Sequence, residues 1–475
     1  MKQLFVVLTL CIISSAQAFC GFYVGKADSQ LFNEASKVII ARDDNRTVLS
    51  MANDYRGELS EFALVVPIPY VFDQSQIQVG DASIFDRIDA YSAPRLVEYF
   101  DNNPCPIYAD YNRLPGSPGP VGPPGPAMTM TPTPDLVTVE ASFSVGEYDI
   151  LILSAEEATG LETWLLQNDY KIPEGAAEIF NDYIDAGMKF FVAKINLNAV
   201  SADDSVLLSP LVMAFESEEL ILPIQLGTVN AAGQQDLIVF LLSPEGRIVT
   251  DNYPVVDIPS EVNLPEYVDE SFADFYISMF DTIADRTQYD GGVVFLEHAW
   301  DMRWCDPCAA NPLNDTELRQ AGVFWNVVGV RSAPAPSPRV ISNAPNTTVP
   351  VPTTRPTVTT TTRSNTPPNV YLTRLHLRYD RESYPEDLRF RVTDNRENFQ
   401  GRYILQRPFN GTITCEAGEV YVQEVLERQQ REAQQLADLT SWELSDIRAN
   451  ITPYNPEINI RDWWDSVFDS FEPSM

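Results

Sequence analysis

Cys305 and Cys308 stand in the segment Trp304-Cys305-Asp306-Pro307-Cys308. Two cysteines at this spacing can close a small redox-active ring or supply half of a metal site. The segment comes directly after the apolar run VVFLEHAW at 293–300, which reads as a strand. In thiol–disulfide exchange Cys305 would attack and Cys308 would resolve the mixed disulfide, with Glu297 or His298 as proton acceptors. The competing reading is a structural Cys305–Cys308 disulfide that clips a loop.

Two features favour the clip. Pro312 comes soon after the motif, and Asn314 with Glu317 spells a fresh helix cap, so no long helix starts at the cysteines. Asp306 would place negative charge beside a developing thiolate and raise the pKa of the first thiol. The pentapeptide resembles the thioredoxin active site, with Asp306 where those proteins usually carry glycine, but the surrounding strand order does not read as a thioredoxin domain. A metal would need His298, Cys305 and Cys308 plus Cys415 or His376. That spacing matches no zinc pattern, and no metal or cofactor is expected.

A second candidate lies on a strand near the C-terminus. Arg374, His376 and Arg378 alternate with Leu375, Leu377 and Tyr379, so period two puts the three basic residues on one half-buried face. Arg389 and Arg391 could extend this face into an anion-binding strip. The alternative is salt bridging to the local acids Asp380, Glu382, Glu386 and Asp387. Hydrolytic chemistry has little support. The chain has two histidines, no G-x-S-x-G elbow, no glycine-rich phosphate loop and no EF-hand loop.

The N-terminus reads as a secretory signal over residues 1–18. Lys2 precedes the short apolar stretch from Leu4 to Ile13, and Ala16-Gln17-Ala18 fits a small-x-small cleavage site. No later stretch approaches the roughly twenty apolar residues of a membrane helix. A secreted or periplasmic location is expected, in which cysteines oxidise where geometry allows. Cys20, Cys105, Cys305, Cys308 and Cys415 remain after Cys11 is removed, and this odd number leaves at least one thiol unpaired or paired with another molecule. The net charge of −35 argues against nucleic acid and anionic lipid as partners.

The elements that must hold these residues fall into five regions. They are a sheet-rich region at 19–112, a Pro/Gly-rich collagen-like insertion at 113–134, a central α/β region at 135–331, a Pro/Thr-rich insertion at 332–369 and C-terminal strands and helices at 370–475. The four Gly-x-y triplets of the first insertion are too few for a triple helix and read as a polyproline-like loop. Residues 38–52 form a hairpin around 42–46. Pro67 and Pro69 end the strand at 61–69 or push it to an edge. A strand at 145–155 leads to two helices, the first capped by Ser154 with Glu157 and the second ended by Gly187. Further strands are expected at 189–197, 211–216, 220–229 and 236–243. An aromatic stripe of Phe272, Phe275, Tyr276 and Phe280 marks a helix, and a longer one runs over about 419–438. Ser441 caps a shorter helix, and Trp463 to Phe471 keep helical spacing. The fold class is α+β, with mixed, largely antiparallel sheets and packed helices.

CGFYVGKAD at 20–28, EFALVVPIP at 61–69, DAYSAPRLVEYF at 89–100, GMKFFVAKINL at 187–197, FLEHAWDMRWCDPC at 295–308, LTRLHLRYD at 372–380, YPEDLRF at 384–390 and NFQGRYIL at 398–405 together resemble the bacterial domain-of-unknown-function family numbered 2330. The resemblance skips both low-complexity stretches, which makes them variable insertions. It implies an exported protein and supplies no activity, substrate or catalytic residue. The expected function is a non-catalytic binding or interaction protein with a protein or small-molecule partner. The alternative is a thiol–disulfide oxidoreductase using Cys305 and Cys308.

Overall fold

Two rows of apolar residues on each central strand decide the layering. In β4 (Phe62–Ile68), Leu64, Val66 and Ile68 point one way and Ala63 and Val65 the other, and both rows are buried. Strands buried on both faces need covering layers on both sides. The computed structural model describes residues 22–25, 35–53, 62–105, 138–155, 158–168, 172, 175–195, 208–229, 233–287, 291–304, 310–325 and 369–459. The signal-like segment, the body of each insertion, the Cys305–Cys308 motif and the Trp463–Phe471 tail lie outside these residues.

A five-stranded antiparallel sheet runs in the order β1 (Phe22–Gly25), β4, β9 (Lys189–Ile195), β8 (Tyr148–Ser154), β7 (Thr138–Val145). Pro67 does not sit on an outer strand. It pairs with Phe190 of β9 on one side, while on the other the described part of β1 reaches only as far as Val65. A larger mixed sheet runs β14 (Val255–Asp257), β16 (Val294–Asp301), β17 (Tyr371–Tyr379), β12 (Gln235–Ser243), β2 (Ala35–Asp43), β3 (Arg46–Asn53), β10 (Leu208–Glu216), β5 (Ile77–Val79), with β19 (Phe399–Gln400) also paired to β16. The expected hairpin joins β2 to β3 through Asp44 and Asn45, with Asp44 left-handed at φ 54°.

The main core lies between these sheets. Val38 and Ile40 of β2, Leu237, Val239 and Leu241 of β12, and Leu375 and Leu377 of β17 meet Leu64, Ile150, Ile152 and Phe191 of the smaller sheet. The opposite face of the smaller sheet is covered by α2 (Ala158–Gln167) and α3 (Ala176–Asp185), through Leu161, Leu165, Ile179 and Phe180. Gly187 ends α3 at φ 76°, with the Met188 amide donating to the Tyr183 carbonyl. The opposite face of the large sheet is covered by α1 (Ser83–Ser92), α6 (Asp315–Gln320) and α5 (Phe272–Arg286).

Two small sheets flank this stack. One is antiparallel, β11 (Leu220–Leu222), β18 (Leu388–Val392), β13 (Ile248–Thr250). The other is parallel, β15 (Val262–Leu264), β20 (Arg402–Arg407), β6 (Arg95–Phe100). α7 (Glu416–Thr440) and α8 (Leu444–Asn450) close a separate core with α5 and β20 through Phe275, Met279, Tyr403, Leu405, Ala433 and Leu436.

Four sequence expectations are corrected. The strand expected over 220–229 stops at Leu222, after which Pro223 breaks the ladder and α4 (Gln225–Val229) forms. The strand expected over 145–155 is interrupted at Gly146, whose φ of 57° turns β7 back into β8. Ser154 caps nothing among the described residues, where its buried hydroxyl at the end of β8 has no hydrogen-bond partner, and Glu157 of the expected box lies outside them. Ser441 does not start α8 but ends α7 in a left-handed conformation, its amide donating to the Ala437 carbonyl. Among the described residues no helix is long and apolar enough to cross a membrane.

A disulfide joins Cys105, in the loop after β6, to Cys415 at the start of α7, across 310 residues of sequence. It removes Cys415 from the candidate metal ligands. Closing so long a loop restricts the unfolded chain, so replacing both cysteines by alanine is expected to cost roughly 2–4 kcal/mol. Urea denaturation of the double variant beside the oxidised parent checks this.

Candidate functional site

β16 and β17 bring together the sequence-selected basic residues and the acid next to the CxxC strand. Arg374, His376 and Arg378 share one face of β17, as their alternation predicts. That face is not half-exposed, because α1 and α5 lie over it and Arg374 and His376 are buried. Opposite them, β16 carries a bulge. Leu296 pairs with Leu375 and His298 with Arg374, so Glu297 is an extra residue, and Glu297 and His298 both point toward the helices.

Glu297 has no solvent exposure and is the hub. Arg374 Nε donates to Glu297 Oε2 and the Tyr276 hydroxyl of α5 donates to Oε1. His376 Nδ1 lies 2.7 Å from the same Oε1. Arg374 Nη1 donates to Asp89 of α1, which also takes Lys37 Nζ at 2.7 Å. On the other side His376 Nε2 lies 3.8 Å from Asp236, and Arg378 forks onto Asp236 at 2.8 and 3.0 Å and onto Asp281 of α5 at 2.5 Å. The His376 ring stacks on Phe280, centroids 3.9 Å apart and planes 11° from parallel. The result is a chain of alternating charge, Lys37–Asp89–Arg374–Glu297–His376–Asp236–Arg378–Asp281.

The partners are not the acids nearest in sequence. Glu386 pairs with Arg389, while Asp387 takes the Tyr183 hydroxyl and the amides of Ile224 and Gln225. Arg389 and Arg391 do not extend the strip, because β18 belongs to a different sheet, where Arg391 meets Asp251 at 2.6 Å.

Burial raises the Glu297 carboxyl, but Arg374, His376 and the hydrogen bonds from His376 and Tyr276 outweigh it and bring it down to about 2. Burial opposes charge on His376, yet Glu297 and Asp236 raise it to about 8. His298 goes the other way. Burial, with Arg374 and Arg95 nearby, pushes it down to about 3, and neither ring nitrogen has a hydrogen-bond partner. It is a neutral imidazole against the Tyr91 ring, centroids 5.6 Å apart. The candidate proton acceptors of the redox reading are therefore an ionised carboxylate already taken by three donors and a buried neutral histidine.

A second feature was not visible in the sequence. A groove of about 940 Å³ opens between β20, α7 and the segment 451–457. Phe100, Tyr267, Phe409 and Tyr454 give it aromatic walls. Gln429 of α7 fixes the far wall, donating to the Thr452 carbonyl at 3.0 Å and accepting from the Tyr454 amide at 3.1 Å. The Tyr454 hydroxyl donates to the Phe409 carbonyl at 2.7 Å, and the Phe409 amide donates to the Tyr421 hydroxyl at 2.7 Å. The guanidiniums in the groove are engaged, Arg407 with Glu98, Glu266 and Asp269, and Arg428 with Asp101 and the Gln406 carbonyl. Each wall comes from a different stretch of sequence, so no local motif announces it.

These features define an α+β protein with a helix-covered pair of sheets, a neutralised ion chain in its interior and a ligand-sized groove at one end. The chain belongs to the family described as "Uncharacterized protein conserved in bacteria (DUF2330)", whose model matches residues 14–391. The match ends in β18, so the groove is built partly within it, at Phe100 and 265–267, and largely beyond it. No curated protein and no solved structure matches the chain.

Glu297→Gln would leave buried Arg374 with Asp89 as its one charged partner, and a loss of about 3–5 kcal/mol is expected in denaturant titration. His376 gives a pH signature. Because its folded pKa lies above the ordinary 6.5, its contribution is complete below about pH 6.5 and is lost as pH rises through about 8. Unfolding free energy should fall by about 2 kcal/mol over that window, and His376→Gln should remove this decline.

Proposed function

We propose that this protein is a non-catalytic binding protein, exported to the periplasm or beyond the cell, whose ligand occupies the groove between β20, the middle of α7 and the segment 451–457. The observation that carries this reading is the groove itself. Its volume falls in the range of sites that enclose small ligands. Its aromatic walls are held by side-chain to backbone hydrogen bonds, so the shape exists before a ligand arrives. The signal-like N-terminus and the Cys105–Cys415 disulfide suit an oxidising compartment.

The stretch C-terminal to the CxxC motif favours binding over thiol–disulfide exchange. Residues 310–314 are non-helical, and the next described helix is the six-residue α6, capped by Asn314 at Thr316 and Glu317. A helix running on from the cysteines, whose N-terminus would stabilise a thiolate, is absent from that described stretch.

The test pairs two assays on the mature protein. A thermal-shift panel of sugars, short peptides and polyamines is run on the wild type and on Thr412→Trp, which fills the groove from an exposed position. Insulin reduction is run on the wild type and on a Cys305→Ser/Cys308→Ser variant. The expected result is stabilisation by at least one compound class, lost in Thr412→Trp, with no difference in insulin reduction. CxxC-dependent reduction without any groove-dependent stabilisation would replace this reading with an oxidoreductase.

A further inference from the structure

Glu432 of α7 is a buried acid whose one ion-pair contact, to Arg428, falls short of a hydrogen bond. It lines the groove, yet it is only 5% exposed. No hydrogen bond reaches its Oε1. Arg428 Nε is 3.5 Å away, outside hydrogen-bond geometry, and the head of that guanidinium is turned onto Asp101 at 2.9 Å and the Gln406 carbonyl. A desolvated carboxylate oxygen without a donor is unfavourable unless something supplies one.

The surroundings say what that something is. Both groove arginines are ion-paired with protein carboxylates, Arg407 with Glu98 and Asp269 and Arg428 with Asp101, so an anionic ligand would have to compete with those acids, although Arg428 Nε itself has no hydrogen-bond partner. Glu266 and Glu457 add further negative charge to the lining. The rings of Phe100, Tyr267, Phe409 and Tyr454 offer π faces, and Phe100 is 68% exposed at the rim. Aromatic faces around a buried carboxylate form a cage for an organic cation.

Resting on the groove as the binding site, we infer that its ligand is an organic ammonium compound whose cationic nitrogen is received by the Glu432 carboxylate between the aromatic walls. The protonation of Glu432 fits this role. Burial raises it to about 7, with Glu266 and Asp101 adding to the effect and Arg428 and Arg431 opposing it. An arriving cation favours the ionised form, so binding at pH 7 releases about half a proton, and affinity climbs as pH rises from about 6 to about 8. The same partial protonation makes Glu432→Gln a mild change for the fold, since Arg428 keeps Asp101.

Isothermal titration calorimetry of the mature protein tests this with spermidine, the tripeptide Gly-Lys-Gly and maltotriose. Spermidine binding alone assigns a free polyamine, and peptide binding assigns a lysine side chain. In either case Glu432→Gln should weaken binding by at least about tenfold, and the heat should differ between buffers of different ionisation enthalpy. Phe100→Ala, at a rim position that cannot disturb the core, should weaken it several-fold. Cation binding that Glu432→Gln leaves unchanged overturns the inference. Binding of maltotriose but neither amine, blocked by Thr412→Trp, overturns the inference and leaves the groove as the binding site. Binding of none of the three overturns the ammonium assignment, and the broader panel then decides the groove.

Discussion

The buried carboxylate of Glu297 dictates how the two central strands and their covering helices come together. β17 carries Arg374 and His376 into a sheet that is covered on both faces. An unpaired guanidinium there would be prohibitive, so the fold has to bring acids to it. The bulge in β16 supplies Glu297, α1 supplies Asp89, β12 supplies Asp236 and α5 supplies Asp281 and the Tyr276 hydroxyl. The partners come from four different elements, so the ion chain fixes how β16 and β17 register and where both helices sit. Such a network is a weak source of net stability compared with an apolar core. Its effect is to make misaligned packings unfavourable, since a shift of one residue would bury charges without partners.

The groove obeys the opposite logic. The Gln429, Tyr421 and Tyr454 hydrogen bonds hold its walls, and its two arginines are ion-paired with protein carboxylates. Glu432 Oε1 and Arg428 Nε, 3.5 Å apart, are left without hydrogen-bond partners within this frame. A carboxylate with an unused acceptor, beside arginines already paired with acids, is how a site selects for the charge of its ligand: an anion must displace a protein carboxylate, whereas a cation need not.

Much of the layering was legible in the sequence because it rests on apolar runs and periodicity. Strands β2, β4, β9, β12 and β16 come from apolar runs, β17 from alternation by two, and the aromatic stripe of α5 and the long α7 from spacing of three and four. What could not be read was burial on the second face. Arg374, His376 and Arg378 look like a solvent-facing row because nothing local shows that two helices from elsewhere in the chain cover them. Their true partners lie at sequence separations of 77 to 285 residues, while the acids beside them are occupied elsewhere. Glu432 was hidden for a similar reason. Four residues after Arg428 on a polar helix face, it reads as an ordinary surface ion pair. Only the crossing of 451–457 over α7 turns that face into a wall. The CxxC motif drew attention through its spacing, a local signal, whereas the groove has none.

If a ligand cation enters this groove and is held against its walls, binding must slow backbone exchange there. Hydrogen–deuterium exchange on the mature protein with saturating spermidine or Gly-Lys-Gly reports where binding occurs without assuming a site. Slowed exchange is expected in 406–412, in α7 around Glu432 and in 451–457, with the large sheet unchanged. Protection confined to other segments, or no protection with either amine, would contradict binding of a cation in the groove.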